Sequence, residues 1–426
     1  MKRTKFSIGW QLMNRPYYLS QIIRKMHNGM IKVITGVRRC GKSYLLFELF
    51  YAYLLENNVP DNHIIKLALD DRANKEYRDP DRLFRYVTER ITDQDPYYIL
   101  LDEVQLVPEF EDVLNSFLHI RNADTYVTGS NAKFLSKDII TEFRGRGDQI
   151  HLYPLSFSEF MSAFPEEKHD AWQQYIVYGG LPKIMEMDHV SDKINYLKNI
   201  FDETYIKDIL ERNDIRNQAE LEELLDIVAS NIGGLTNPKK LSDSFKSIKN
   251  VSIHPDTIKN YLQYFEDAFL ISTAKRYDVK GKKYISTPMK YYFTDMGLRN
   301  ARLNFRQIEE THLMENVIYN ELCIRGWNVD VGSIEYRFND KDGKQIQKQL
   351  EIDFVCNQGF RRCYIQSAFS LPTIEKTEQE QKSLLNINDS FKKIIIVKEG
   401  ITHYNDRGIL ILNLFDFLLD PNSLGL

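Results

Sequence analysis

The sequence predicts an α/β protein: a parallel sheet flanked by helices, then a mostly helical region, then a second and smaller α/β unit. Three observations lead there. From about Tyr17 to Phe160, short apolar runs (MIKVIT, HIIKLAL, YYILL, TYVTG, QIHLY) alternate with helical stretches, the pattern of parallel strands joined by crossover helices. From about Met161 to Asn300 the period becomes helical, as in LEELLDIVASNIGG and DTIKNYLQYFEDAFLI. From about Gln307 a helix (HLMENVIYNELCIRG) precedes strand-like segments LEIDFVCN, RCYIQSA and KKIIIVKE. With 426 residues the chain has material for separate cores, and we divide it at 1–160, 161–300 and 301–426.

Composition narrows the function classes. Lys and Arg number 56 against 60 Asp and Glu, a net charge of -4, so contact with nucleic acid requires a local basic patch. Cys40, Cys323, Cys356 and Cys363 show no C-x-x-C spacing, which argues for reduced thiols and a cytoplasmic location rather than a zinc or dithiol site. Polar residues interrupt the basic start MKRTKFSIGWQLMNRP, and no apolar run of about 18 residues follows, so neither export nor a membrane span is expected.

The strand-like MIKVIT leads into Gly36-Val37-Arg38-Arg39-Cys40-Gly41-Lys42-Ser43, with a helix starting near Lys42 and continuing through Tyr44. This satisfies G-x-x-x-x-G-K-[ST] in its required strand-loop-helix setting. The glycines permit torsions that turn successive N–H groups inward, and the helix start adds its positive dipole end, so residues 36 to 44 form an anion nest for a triphosphate. Lys42 would bridge the β- and γ-phosphates, and the Ser43 hydroxyl would ligate Mg²⁺. Cys40, lying inside the loop, would couple thiol oxidation to nucleotide binding.

The run YYILLDEVQ ends a central strand in Asp102 and Glu103. Beside a phosphate loop, the first acid serves the metal shell and the second is the candidate base for the attacking water. TYVTGSNAKFLS places Ser130 and Asn131 at a neighbouring strand end, suited either to sensing the γ-phosphate or to capping a turn. In FRGRG, Arg146 first and Arg144 second are candidates to stabilise phosphoryl charge, in the same chain or from a neighbouring subunit of a homo-oligomer.

Together GVRRCGKS, LLDEVQ, VTGSN, the FRGRG segment with PLSFSEF behind it, and YGGLP resemble the prokaryotic AAA-type ATPases that carry a C-terminal DUF4143 domain. The resemblance covers nearly the whole chain. It implies a P-loop NTPase sheet at 1–160, ATP as the nucleotide, a winged-helix module after Gly180, and a restriction-endonuclease-like α/β domain at 301–426.

Between Thr236 and Tyr292 stand eleven Lys or Arg and five Asp or Glu, a local positive excess in an acidic chain. LTNPKKLSDSF and SIHPDTIKNYLQYFEDAFLI read as helix, turn and recognition helix, the latter starting near Ser252 or Pro255 with Lys259 exposed. AKRYDVKGKK, Ala274 to Lys283, would form the wing, its basic part running from Lys275 to Lys283, with Gly281 in its turn and Lys280, Lys282 and Lys283 reaching a duplex DNA backbone. Winged helices also dock partner proteins, and exposed lysines also solubilise hairpins.

A restriction-like site needs a helix Glu, a strand-end Asp and an E-x-K on the next strand. Glu315 and Asp353 meet the first two requirements, but Gln366-Ser367-Ala368 stands where the acid and lysine belong. A missing carboxylate and a missing cation make this end non-catalytic as a nuclease. The reading is therefore a Mg²⁺-dependent ATPase whose hydrolysis drives conformational change in the attached region. The alternatives are a nucleotide-gated binding switch with little turnover and a metal-dependent nuclease of variant site.

Overall fold

The computed structural model describes residues 14–129, 145–164, 167–213, 215, 217–249, 252–339 and 345–425. The chain divides into two compact units. The first comprises 1–155 with the short segments 181–186 and 267–269, and the second the remainder. The boundary expected near residue 300 does not separate compact units, because the strands before it share a sheet with those after it.

The first unit is built on β1 (Ile31–Thr35), β2 (Ile64–Ala68), β3 (Tyr97–Asp102), β4 (Ala123–Thr128) and β5 (Gly147–His151). They lie in the order β2-β3-β4-β1-β5, every pairing parallel. Every residue of β1 and β3 is buried, as expected of strands covered on both faces. On one face the helix Phe110–Phe117 presents Phe110, Val113, Leu114 and Phe117 at helical spacing, beside Leu83 and Val87 of Pro80–Thr88. On the other, the helical run Lys42–Tyr44, Leu45–Phe50 and Tyr51–Glu56 buries Leu45, Leu46, Phe50 and Leu54. Phe50 meets the Tyr126 ring at 4.6 Å.

One charged residue interrupts β1. Lys32 is fully buried, and its ammonium pairs with Asp124 of the adjacent β4. Asp124 also accepts from the Tyr126 hydroxyl at 2.6 Å and the His27 amide at 2.9 Å. Burial pulls the Lys32 ammonium below its ordinary pKa against the attraction of Asp124. Such a pair adds little net stability, yet removing one partner strands a buried charge.

The second unit begins with helices and ends in a sheet. Pro238–Lys249 and Pro255–Asp267, preceded by Gln218–Ser230, lead into the antiparallel hairpin β6 (Ile271–Asp278) and β7 (Lys283–Phe293). Thr236 makes a short antiparallel bridge to Met289 of β7. The hairpin is not free-standing, because β6 pairs in parallel with β8 (Asn328–Asn339). β9 (Gln345–Gln358), β10 (Arg361–Ala368), β11 (Lys392–Val397), β12 (His403–Tyr404) and β13 (Leu410–Asn413) complete a sheet in the order β12-β13-β11-β10-β9-β8-β6-β7. Cys356 and Cys363 face each other across β9 and β10 as buried free thiols. Among the described residues no helix is long and apolar enough to cross a membrane, and no three or more His, Cys, Asp or Glu side chains are grouped to hold a metal ion.

Replacing Lys32 with Met should lower unfolding stability by about 3–5 kcal/mol, because Asp124 loses its cation inside the sheet. Adding Asp124→Asn should recover part of that loss. A urea double-mutant cycle measures the coupling, and a loss below about 1 kcal/mol would show the pair to be solvated.

Candidate functional site

Chain reversal after β1 creates the phosphate loop. Gly36 (φ 145°) passes so close to the segment after β5 that a Cβ would lie 2.1 Å from the Leu152 carbonyl oxygen. At Gly41 the constraint is torsional: φ is 104°, a conformation that L side chains rarely adopt. Between them Arg39 is also left-handed, Val37 and Cys40 are buried, and Lys42 opens the helix that continues through Ser43 and Tyr44. The Lys42 ammonium donates to the loop's own carbonyls, Gly36 at 3.0 Å and Val37 at 3.2 Å.

The parallel sheet delivers the acids to the same edge. Asp102 ends β3, buried, and accepts hydrogen bonds from the hydroxyls of Ser43 and Thr128. Burial raises its carboxyl above the usual range, the two hydroxyls oppose that, and the charges of Glu103 and Asp70 reinforce it. Glu103 follows in a left-handed conformation (φ 53°); its amide donates to the Thr128 hydroxyl at 3.0 Å, and its carboxylate accepts from the Gln105 amide. A hydroxyl and a carboxylate bonded to one another at a phosphate loop, with the charges of Glu103 and Asp70 nearby, are hard oxygen donors, a donor set that fits Mg²⁺.

Arg15, Thr128 and His151 carry no motif, and the spacing of the sequence does not reveal them. Arg15 is buried and braces the loop, donating to the carbonyls of Cys40 and Tyr153 at 2.9 Å each and of Pro154 at 3.3 Å. Thr128, two residues before Ser130, carries the hydroxyl that links Asp102 to Glu103. His151, at the end of β5, shares a 3.2 Å hydrogen bond with the Thr35 hydroxyl and packs against Tyr153 and Phe269. Burial, helped by the Lys42 charge, lowers its pKa to about 4.

Some expectations fall elsewhere. Ser130, Asn131 and Arg144 lie outside the described residues. Arg146 is exposed at the start of β5, where its carbonyl pairs with the Ile31 amide at 2.9 Å. Ile31 begins β1 and the phosphate loop follows Thr35, so strand length alone separates Arg146 from the loop end by about 13 Å. The structure therefore does not bring Arg146 to Lys42 of its own chain. Cys40 is a correction too: it is fully buried, its thiol donates to the Leu152 carbonyl at 3.4 Å, and burial raises its pKa, the opposite of a reactive thiolate.

In the second unit Glu315 and Asp353 do meet, around a cation that sequence spacing did not supply. Lys290 of β7 lies 2.9 Å from Glu315, 2.7 Å from Glu351 and 3.4 Å from Asp353. Burial alone would lower this ammonium; Glu315, Asp353 and Glu351 overcome it and hold Lys290 above its ordinary range. Burial pushes Asp353 up to about 7 against the pull of Lys290, with Glu315 and Glu351 adding to the rise. Tyr292 donates to Glu315 at 2.7 Å, and the Ser367 amide donates to Asp353 at 2.8 Å. Gln366 accepts from the Asp353 amide at 3.4 Å, a structural contact within the sheet. The YGGLP glycines also have a structural reason here: Gly179 (φ 76°) approaches Asp295, which accepts from the Gly180 amide at 2.7 Å.

Residues 28–161 match the family model described as an AAA domain, which together with the strand, glycine loop and helix defines a P-loop ATPase-type unit. The chain belongs to the family of the "Uncharacterized protein" of Haemophilus influenzae, to which it is 32% identical over 414 residues, 96% of this chain and 99% of that one. It is 29% identical over 400 residues to an "Uncharacterized protein" of Methanocaldococcus jannaschii, covering 90% of this chain and 84% of the other. Residues 169–309 match a domain of unknown function, DUF8612, and a DUF4143 match is not shown. Aeropyrum pernix ORC1, solved in complex with DNA, aligns over 68% of this chain and 92% of its own at 11% identity; its TM-score of 0.31 is too low to carry an argument.

His151→Gln should flatten the pH dependence of stability. The folded pKa near 4 lies below the unfolded value near 6.5, so the unfolded chain binds the extra proton and His151 costs stability as pH falls from about 6.5 to about 4. Urea midpoints at pH 7 and pH 5 should differ less in the variant; an equal difference would show a solvated imidazole. Lys290→Met should cost about 3–5 kcal/mol by leaving three carboxylates without a cation. That loss should be larger at pH 8 than at pH 6, where a carboxyl can take up a proton, and a pH-independent loss would assign Lys290 a packing role only.

Proposed function

We propose that the protein is a Mg²⁺-dependent ATPase whose P-loop unit binds and hydrolyses ATP and thereby changes the conformation of the attached region. The observation that carries this is the meeting of Ser43 and Asp102 at the mouth of the loop closed by Gly36 and Gly41, with Glu103 next in line. Lys42 would exchange its two carbonyl acceptors for β- and γ-phosphate oxygens, so the loop is pre-shaped by the same ammonium that later binds the ligand. Mg²⁺ held by Ser43 and Asp102 would neutralise charge on the phosphate oxygens. Glu103, oriented by Gln105, would accept the proton of a water whose oxygen attacks the γ-phosphorus as the bond to ADP breaks. An arginine from a neighbouring subunit, Arg146 or Arg144, would complete the charge balance in a homo-oligomer.

For the second unit we propose a winged-helix module in which Pro255–Asp267 is the recognition helix and β6-β7 the wing. Lys275, Lys280, Lys282 and Lys283 are exposed along that hairpin and its turn, in keeping with duplex DNA as the partner. The endonuclease-like sheet is read as non-catalytic: a divalent cation among Glu315, Glu351 and Asp353 would have to face the Lys290 ammonium at contact distance.

Glu103→Gln should lower ATP turnover by about 10²–10³ while nucleotide binding persists. Lys42→Ala should weaken both, and duplex DNA should stimulate turnover in the wild type. Steady-state phosphate release with and without duplex DNA checks all three. Wild-type turnover no greater than that of Glu103→Gln would establish the nucleotide-gated switch instead.

A further inference from the structure

The second unit carries a basic and aromatic groove that none of the readings above uses. It forms where the starts of β10 and β11 lie side by side, Cys363 opposite Lys392, next to the turn joining β12 to β13. The groove has a volume of about 830 Å³, and its rim carries Phe360, Arg361, Tyr404 and Arg407. Phe360 is 92% exposed and Tyr404 60% exposed, although the sheet behind them is packed with aliphatic residues. Exposing one aromatic ring is ordinary, but placing two beside two exposed guanidinium groups is a specific arrangement.

The floor keeps its positive charge. Arg362 stacks 5.4 Å from the Phe391 ring and donates to the neutral Asn357 side chain at 2.6 Å. Lys392 donates to the Leu424 carbonyl at 2.6 Å, and Lys393 to the Ile387 carbonyl at 2.9 Å. Among the described residues none of these three, nor Arg361 or Arg407, is held in a salt bridge. The lining acid, Asp389, is turned onto the Tyr364 hydroxyl at 2.6 Å and the Phe391 amide at 3.2 Å. Five cations against one engaged carboxylate make a locally positive surface in a chain of net charge -4.

We propose that this groove binds single-stranded nucleic acid, with unpaired bases stacking on Phe360 and Tyr404 and phosphates meeting Arg361, Arg407 and the lysines behind them. One exposed ring on the β9-β10 turn and another on the edge strand β12 need open base faces, which a duplex conceals, whereas a phosphate-only ligand would have no use for them. The site is separate from the Lys290 centre, because Arg361 and Gln366 lie at opposite parts of β10, roughly 16 Å apart along the strand. Its floor adjoins the hairpin, Arg362 lying 5.7 Å from the Tyr277 ring of β6, but binding here calls on neither the lysines of the β6-β7 turn nor ATP hydrolysis.

Fluorescence anisotropy of the full-length protein with a labelled oligothymidylate, and with a duplex of equal length, tests this. The wild type should bind the single strand more tightly, and Phe360→Ala with Tyr404→Ala should weaken it about tenfold. Arg361→Gln with Arg407→Gln should reduce the salt slope by about 1.4, the loss of two phosphate contacts on a single strand. Lys280→Gln with Lys282→Gln, and separately Lys42→Ala, should leave oligothymidylate binding unchanged, which keeps this site distinct from the two proposed above. All substituted side chains in the groove are exposed, so matched thermal unfolding curves confirm that the variants fold. No binding, equal affinity for the duplex, or full affinity in the aromatic double variant would overturn the proposal, the last marking a general polyanion surface or a dock for an acidic protein segment.

Discussion

Parallel strand register is the constraint on which the P-loop unit depends. Because β3, β4 and β1 run the same way, with Leu101 opposite Val127 and Ile34 opposite Thr128, their carboxyl ends arrive at one edge of the sheet. Three chain segments distant in sequence then exchange hydrogen bonds there: Ser43 to Asp102, Thr128 to Asp102, and the Glu103 amide to Thr128. A shift of one residue in β3 would turn Asp102 to the opposite face of the sheet and break that meeting. The glycine loop supplies an anion nest, but register decides which acids face it.

Both units bury a lysine, and the two do different physical work. Lys32 is paired with one carboxylate, Asp124, between neighbouring parallel strands, which ties the register of β1 to β4 far from the phosphate loop. Lys290 faces three carboxylates drawn from the helix Glu310–Ile324 and from β9, and thus joins β7 to elements that follow it in the chain. Desolvation makes either charge expensive alone, so the surrounding geometry is specified more sharply than apolar packing would require. The cation missing from the Gln366-Ser367-Ala368 segment is therefore present beside Glu315 and Asp353, but supplied by Lys290 of β7, beyond the segment expected as the wing.

The hairpin explains why region boundaries are harder to read than motifs. Hydrophobic period shows that Ile271–Asp278 and Lys283–Phe293 are strands and that Gly281 turns between them. It contains no information on which strand lies alongside, and the partner of β6 proves to be β8, beyond two further helices. That pairing merges the region ending near residue 300 with the one after it into a single compact unit. Arg146 illustrates the same limit: FRGRG marks an arginine-rich loop, but only strand direction shows that the loop's end enters β5 away from Lys42.

What the amino-acid sequence determined unaided was local: the loop from Gly36 to Ser43, the apolar strand ending in Asp102 and Glu103, and the helices with a clear 3.6-residue stripe. These follow from backbone torsion, dipole and periodicity, which act over a few neighbouring residues. Tertiary structure alone decided that Arg15 braces the loop through three carbonyls, that Thr128 joins the two acids, that His151 stays neutral beside Lys42, and that Lys290 gathers Glu315, Glu351 and Asp353. Each of those contacts joins residues 25 to 139 positions apart in sequence, and only the folded chain brings its ends together.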